Sequence, residues 1–122
     1  LKYLLLNFSK ITIFIIFLSL ILSSMTCIAN EGVDFTGSWK TAWGPVTIIQ
    51  TKIIAKGKYT GQFNGQINGT VEGNRFRFKW SQTNGEWGRG YFDISPDGKS
   101  FKGRWGGYNS DSNGGVWNGK KL

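Results

Sequence analysis

Histidine is absent from the 122 residues, cysteine occurs once, as Cys27, proline twice, and only seven side chains are acidic. Without histidine there is no Ser-His-Asp triad, no imidazole acid–base chemistry and no His-ligated zinc. One cysteine permits neither an internal disulfide framework nor a paired-cysteine redox or metal site. A GxSxG nucleophile elbow and a glycine-rich phosphate loop are also missing. The seven acids, Glu31, Asp34, Glu72, Glu86, Asp93, Asp97 and Asp111, contain one near pair, Glu86 with Asp93. Their spacing is odd, so on one strand they face opposite ways, whereas a retaining glycosidase needs carboxylates ~5–5.5 Å apart. Asp97 sits in Ser95-Pro96-Asp97-Gly98, where capping the turn is the ordinary role of such a side chain. The composition predicts a protein that is not an enzyme and uses no cofactor and no metal.

What is present begins with an export signal. Lys2 and Lys10 precede the apolar run Ile11–Leu22, and Cys27-Ile28-Ala29 forms a small-x-small exit before Asn30. These features describe a secretory signal peptide cleaved after Ala29. Its apolar core is shorter than the ~20 residues of a spanning helix. The alternatives are an uncleaved anchor and lipidation of Cys27, for which Ser24-Met25-Thr26-Cys27 is a poor box. Residues 1–29 are therefore expected to be the signal segment and residues 30–122 a single domain, secreted or periplasmic. Membrane contact would come only from an uncleaved signal. Removing Lys2 and Lys10 leaves 13 basic against 7 acidic side chains, and all 18 glycines and 6 tryptophans lie in the domain. An exported domain of this size without disulfides must rest on a dense core.

The domain shows no helical periodicity, and its glycines are too frequent for helix interiors. Period-2 alternation recurs instead, most clearly in Arg75-Phe76-Arg77-Phe78-Lys79-Trp80, with rings on one face and cations on the other. Turn signals such as Gly44-Pro45, Asn64-Gly65, Gly73-Asn74, Asn84-Gly85 and Asn113-Gly114-Gly115 separate the runs. Eight strands are predicted, near Gly37–Thr41, Val46–Thr51, Ile54–Gln62, Gln66–Glu72, Arg75–Gln82, Glu86–Ile94, Ser100–Gly106 and Gly115–Lys120. Short connections make neighbours antiparallel, and pairing the first strand with the last removes the exposed edges. The predicted fold is all-β, a small eight-stranded antiparallel up-and-down meander barrel of avidin/lipocalin-like architecture. Phe35-x-Gly37-x-Trp39 recurs as Phe101-x-Gly103-x-Trp105 and, more weakly, as Tyr59-x-Gly61-x-Phe63 and Trp117-x-Gly119. Glycines beside rings leave space for the rings to lie on backbone and let strands coil. Trp39, Phe76, Phe78, Phe92, Phe101 and Trp105 are expected to fill the interior.

Two resemblances accompany this reading. Phe35-Thr36-Gly37-Ser38-Trp39, Gly44 and Thr47-Ile48 resemble the opening hairpin of the avidin/streptavidin family, and Tyr59-Thr60-Gly61-Gln62-Phe63 is similar to its third strand. That family's biotin-contacting positions are mostly not kept: Thr41-Ala42-Trp43-Gly44-Pro45-Val46 occupies the first loop, and Phe63 stands where the family has a tyrosine. The resemblance implies architecture, not ligand. Trp43-Gly44, Ile67-x-Gly69-x-Val71-x-Gly73-Asn74, Asp97-Gly98-Lys99-Ser100-Phe101-x-Gly103-x-Trp105 and Trp117-x-Gly119 resemble, in order, the glycine- and tryptophan-rich secreted domains of bacteria. This likeness spans nearly the whole domain and implies a fold and a secreted setting.

Several aromatics do not fit the inward parity. Trp43 and Tyr108 lie in loops, and Trp87 and Tyr91 face away from Phe92. Such rings present flat faces to ligands, sugars included. Trp43, Trp87, Tyr108, Phe63 and Trp80 are the expected ligand-binding residues of a module that takes a small molecule, a glycan or a partner protein. The second reading is a structural or inhibitory protein whose basic outer stripe, Arg75, Arg77 and Lys79, docks an acidic partner protein or cell-envelope polymer. Nucleic acid is not expected as a partner, because single-strand binders place rings and cations on one surface and this strand separates them.

Overall fold

The structure, a computed structural model, describes residues 32–122; the expected signal segment at 1–29 and Cys27 lie outside the described residues. Alternation organises the sheet: Phe76, Phe78 and Trp80 are buried while Arg77 and Lys79 between them are exposed. The strands are β1 (Gly37–Thr41), β2 (Val46–Thr51), β3 (Ile54–Tyr59), β4 (Gly65–Glu72), β5 (Arg75–Gln82), β6 (Trp87–Ile94), β7 (Ser100–Gly107), β8 (Gly115–Val116) and β9 (Gly119–Lys121). From β1 to β7 each strand pairs antiparallel with the next, and β9 pairs with both β1 and β7. With β8 and β9 counted as one interrupted strand, the sheet closes into an eight-stranded antiparallel meander barrel, lipocalin- or avidin-like in general terms. First pairs with last, as expected from the removal of exposed edges.

Two strand predictions need correction. The third strand ends at Tyr59, not Gln62, because Thr60–Asn64 leaves the sheet to pack on the β1–β2 loop. Gly44 makes that contact possible: its φ is +97°, and a Cβ there would strike the Thr60 carbonyl oxygen. Phe63 is consequently on a loop, 37% exposed, rather than on a strand. The eighth strand is broken at Trp117-Asn118. There the Asn118 side chain, not a backbone carbonyl, accepts from the Gly103 N–H at 3.2 Å, while the Trp117 N–H donates to the Gly103 carbonyl at 2.8 Å. The register is the same on both sides of this interruption, with Trp105 opposite Gly115 and Phe101 opposite Gly119, so the inward parity is kept and Trp117 still points in.

Rings dominate the interior. Phe92 stacks on Phe101 at 3.9 Å and meets Phe78 at 4.6 Å and Trp117 at 5.2 Å. Trp39, Phe76, Phe78, Phe92 and Phe101 are buried as expected, while Trp105 is half-buried against the core. Five of the large rings lie over a glycine of the neighbouring strand. Tyr59 faces Gly65, Trp80 faces Gly88, Phe78 faces Gly90, Phe92 faces Gly103 and Phe101 faces Gly119. A Cβ at any of these glycines would collide with its ring. The ring-and-glycine pairing expected along the chain therefore operates across strands, where it lets a small barrel hold so many aromatics.

The two ends differ. At one, the turns are Lys52-Ile53, Gly73-Asn74 and Ser95–Lys99, and Phe35 closes the interior, 5.5 Å from Phe76. Gln50 secures this plug by accepting from the Phe35 N–H at 2.9 Å and donating to the Val33 and Lys52 carbonyls. Loops Ala42–Pro45, Thr60–Asn64, Thr83–Glu86 and Tyr108–Gly114 all gather at the other end. Long loops at one end of a rigid scaffold are where binding groups concentrate.

Candidate functional site

The long-loop end contains a cleft of about 80 Å³, lined chiefly by rings: Trp43, Tyr59, Phe63, Trp80, Trp105 and Trp117. Gln82 and Glu86 complete its wall. Each ring arrives for a local reason. Trp43 is presented by a tight turn in which the Thr41 hydroxyl donates to the Gly44 carbonyl and accepts from the Trp43 N–H. Trp80 is fixed by its Nε1–H, which donates to the Gly106 carbonyl at 2.9 Å. Trp105 bridges the two, meeting Trp43 edge-on at 5.5 Å and Trp80 at 5.9 Å. Trp117 forms the floor, ringed by Tyr59, Phe78 and Phe92.

Two polar atoms in these wall residues have no partner. They are Trp117 Nε1 and Gln82 Oε1, both buried. The Gln82 Nε2 donates to the Tyr59 hydroxyl oxygen at 2.9 Å. Because that hydroxyl donates as well as accepts, turning the amide over exchanges a free acceptor for a free donor and still leaves one atom unpaired. An unpaired buried polar group costs about 1–3 kcal/mol. Burial raises the Tyr59 hydroxyl above its ordinary value of 10.0, against the lowering effect of the Gln82 hydrogen bond. Its contribution to stability is therefore full below about pH 10 and is lost as pH rises through the raised value. Asp34 behaves oppositely: hydrogen bonds from Thr36 hold it below 3.8, so its small contribution disappears in acid. With no histidine to titrate, the urea midpoint is expected to stay level between about pH 5 and 9 and to fall above about pH 10. Tyrosinate absorbance followed alongside the midpoint checks this, and a midpoint that drops near neutrality would contradict it.

Three of the five expected ligand residues, Trp43, Phe63 and Trp80, meet in the cleft. Trp87 and Tyr108 do not. They pair edge-on at 5.3 Å on the outer face of β6, where the Lys79 ammonium lies 4.6 Å above the Trp87 ring. The basic stripe also differs from a row of solvated cations. Arg75 forms a two-pronged ion pair with Asp93, at 2.7 and 2.8 Å, and covers Tyr91 at 4.1 Å. The separation of rings from cations holds within β5, but β6 sets Tyr91 opposite Arg77 and Trp87 opposite Ser81, on the same outer surface. Glu86 and Asp93 stand at opposite ends of β6, so they form no carboxylate pair.

Sequence reasoning missed Tyr59, Gln82, Glu86, Trp105 and Trp117 as wall residues. Trp105 and Trp117 carry the inward parity of core residues, and Gln82 carries no signal at all. Among the described residues, no cluster of three or more His, Cys, Asp or Glu could hold a metal. Compared with protein-family models, with curated proteins and with solved structures, the chain matches none.

Proposed function

We propose that the domain is a non-catalytic binding module, exported by the N-terminal segment, that takes a small molecule or a glycan unit at the long-loop end. The observation that carries this reading is the pair of partnerless polar atoms, Trp117 Nε1 and Gln82 Oε1, among the rings of one cleft. A ligand bearing both an acceptor and a donor would satisfy both and remove the cost of leaving them unpaired. The rings supply apolar faces and edges for the rest of it. A volume of about 80 Å³ admits a substituent or a ring edge, since a water occupies ~30 Å³, and leaves the bulk of the ligand at the rim. Entry requires one covering ring to move, and Phe63, on its five-residue loop, is the most exposed of the six.

Tryptophan emission titrated with neutral glycans and small cyclic amides tests this. The expected result is a ligand-dependent change that 0.5 M salt leaves intact and Trp43→Ala abolishes. Trp117→Phe, which keeps the ring and removes the donor, is expected to weaken binding about tenfold, the worth of roughly one hydrogen bond. Emission indifferent to the whole panel, or affinity untouched by Trp117→Phe, would refute the reading.

A further inference from the structure

A second surface lies away from the cleft. Across the outside of β2, β3 and β4 runs a groove of about 620 Å³, bordered by Ile49, Ile54, Lys56, Lys58, Gln66 and Asn68. Beneath it Gly57 faces the interior, where a Cβ would press on Ile67 and Ile48. Ile49 is 66% exposed and Ile54 45%, and Ile53, in the adjoining turn, is 63% exposed. Single exposed apolar residues are ordinary, but three together on one small surface mark a contact site.

The charge around the groove has one sign. Lys56 and Lys58 project from β3, and Lys52 stands in the turn beside Ile53. Lys79 follows Asn68 in the next row of the ladder, so Lys56 and Lys79 are two strand spacings, ~10 Å, apart. Among the described residues no acid borders the groove, and their one ion pair, Arg75–Asp93, is outside it.

We infer that this groove docks an acidic segment of a partner protein that also carries aliphatic side chains. Lysines facing no carboxylate call for acids on the partner, and the isoleucines call for apolar side chains between those acids. The chemistry separates this occupant from the other polyanions. A glycan or single-stranded nucleic acid that binds by stacking finds no ring here, since among the described residues no aromatic borders the groove, and a polyanion held by charge alone would leave the isoleucines uncovered. A bilayer surface would need a protruding apolar edge, whereas this surface is concave. The surface is also distinct from the Arg75–Lys79 stripe, where Arg75 is already engaged by Asp93.

Backbone amide shifts of the protein, recorded against two synthetic peptides and phosphatidylglycerol vesicles, decide the matter. One peptide alternates glutamate with leucine; the other alternates glutamate with serine at equal charge. The expected result is that the leucine peptide shifts amides of β2–β4 and binds at least about 10-fold more tightly than the serine peptide. Ile49→Ser with Ile54→Ser should make the two peptides equal, and Lys56→Glu with Lys58→Glu should abolish binding of both. All four positions are on the surface, and unchanged tryptophan emission verifies that the barrel persists. Equal binding of the peptides by the unaltered protein, shifts confined to the cleft or the Arg75–Lys79 stripe, binding to vesicles alone, or no binding would each overturn the inference.

Discussion

Phe92→Ala is expected to lower the stability of the domain by about 3–5 kcal/mol, within the range for removing a fully buried ring. Phe92 is fully buried, stacks on Phe101 and makes edge or tilted contacts with Phe76, Phe78 and Trp117. Its neighbours come from β5, β7 and the final strand, each pinned by its own ladder, so the cavity left by alanine cannot collapse. A small domain is stable by only about 5–15 kcal/mol, and this one has no disulfide to hold a loosened fold. At a urea slope of ~2 kcal/mol/M, the unfolding midpoint should fall by about 2 M. Phe92→Leu, which keeps most of the apolar volume, should lose less than half as much. A midpoint within 0.5 M of the unaltered protein would mean that the barrel does not depend on its stacked rings.

The second large effect concerns backbone rather than side-chain volume. Gly69 faces Phe78 across β4 and β5, and a Cβ there would land on the Arg77 carbonyl oxygen, 2.7 Å from the Phe78 Cα. Those are main-chain atoms in a closed ladder, so neither strand gives way without breaking hydrogen bonds. Gly69→Val is expected to cost about 3 kcal/mol or more, at or beyond the upper end of overpacking penalties, and to yield little folded protein. Gly107→Ala provides the comparison. It has nothing within 4 Å of a Cβ, and alanine keeps its backbone N–H, which donates to the Asn113 side-chain oxygen at 2.9 Å. Alanine there should change stability by no more than about 0.5 kcal/mol, since a strand glycine carries a small entropic cost of its own. Circular dichroism and urea titration of the two variants give the contrast. Equal tolerance would show that glycine content, and not close approach of the strands, accounts for the composition.

Some of the functional end was legible in the chain and some was not, and particular residues show why. Trp43 was marked by its place in a Trp-Gly-Pro turn, and Trp80 by its strand. Phe63 was found for the wrong local reason: it reaches the cleft from a loop released by the Gly44–Thr60 contact, not from an extended third strand. Gln82 and Trp117 are 35 residues apart in sequence, and no local pattern connects them. They share a cleft only because the sheet closes. Arg75 shows the same limit on the outside. Its own strand foretells an exposed cation, while the register of β6 supplies the Asp93 and Tyr91 that occupy it.

Sequence by itself determined most of the strands, the face most residues present and the antiparallel meander, which made closure the expected way to remove the edges. Those follow from a two-residue period, turn chemistry and short connections, all of which act over a few residues. Tertiary structure alone decided which ring meets which glycine, which donor and acceptor go unpaired at one end, and where the outer surface hollows. These depend on register, which is set by the fit of every neighbouring strand together.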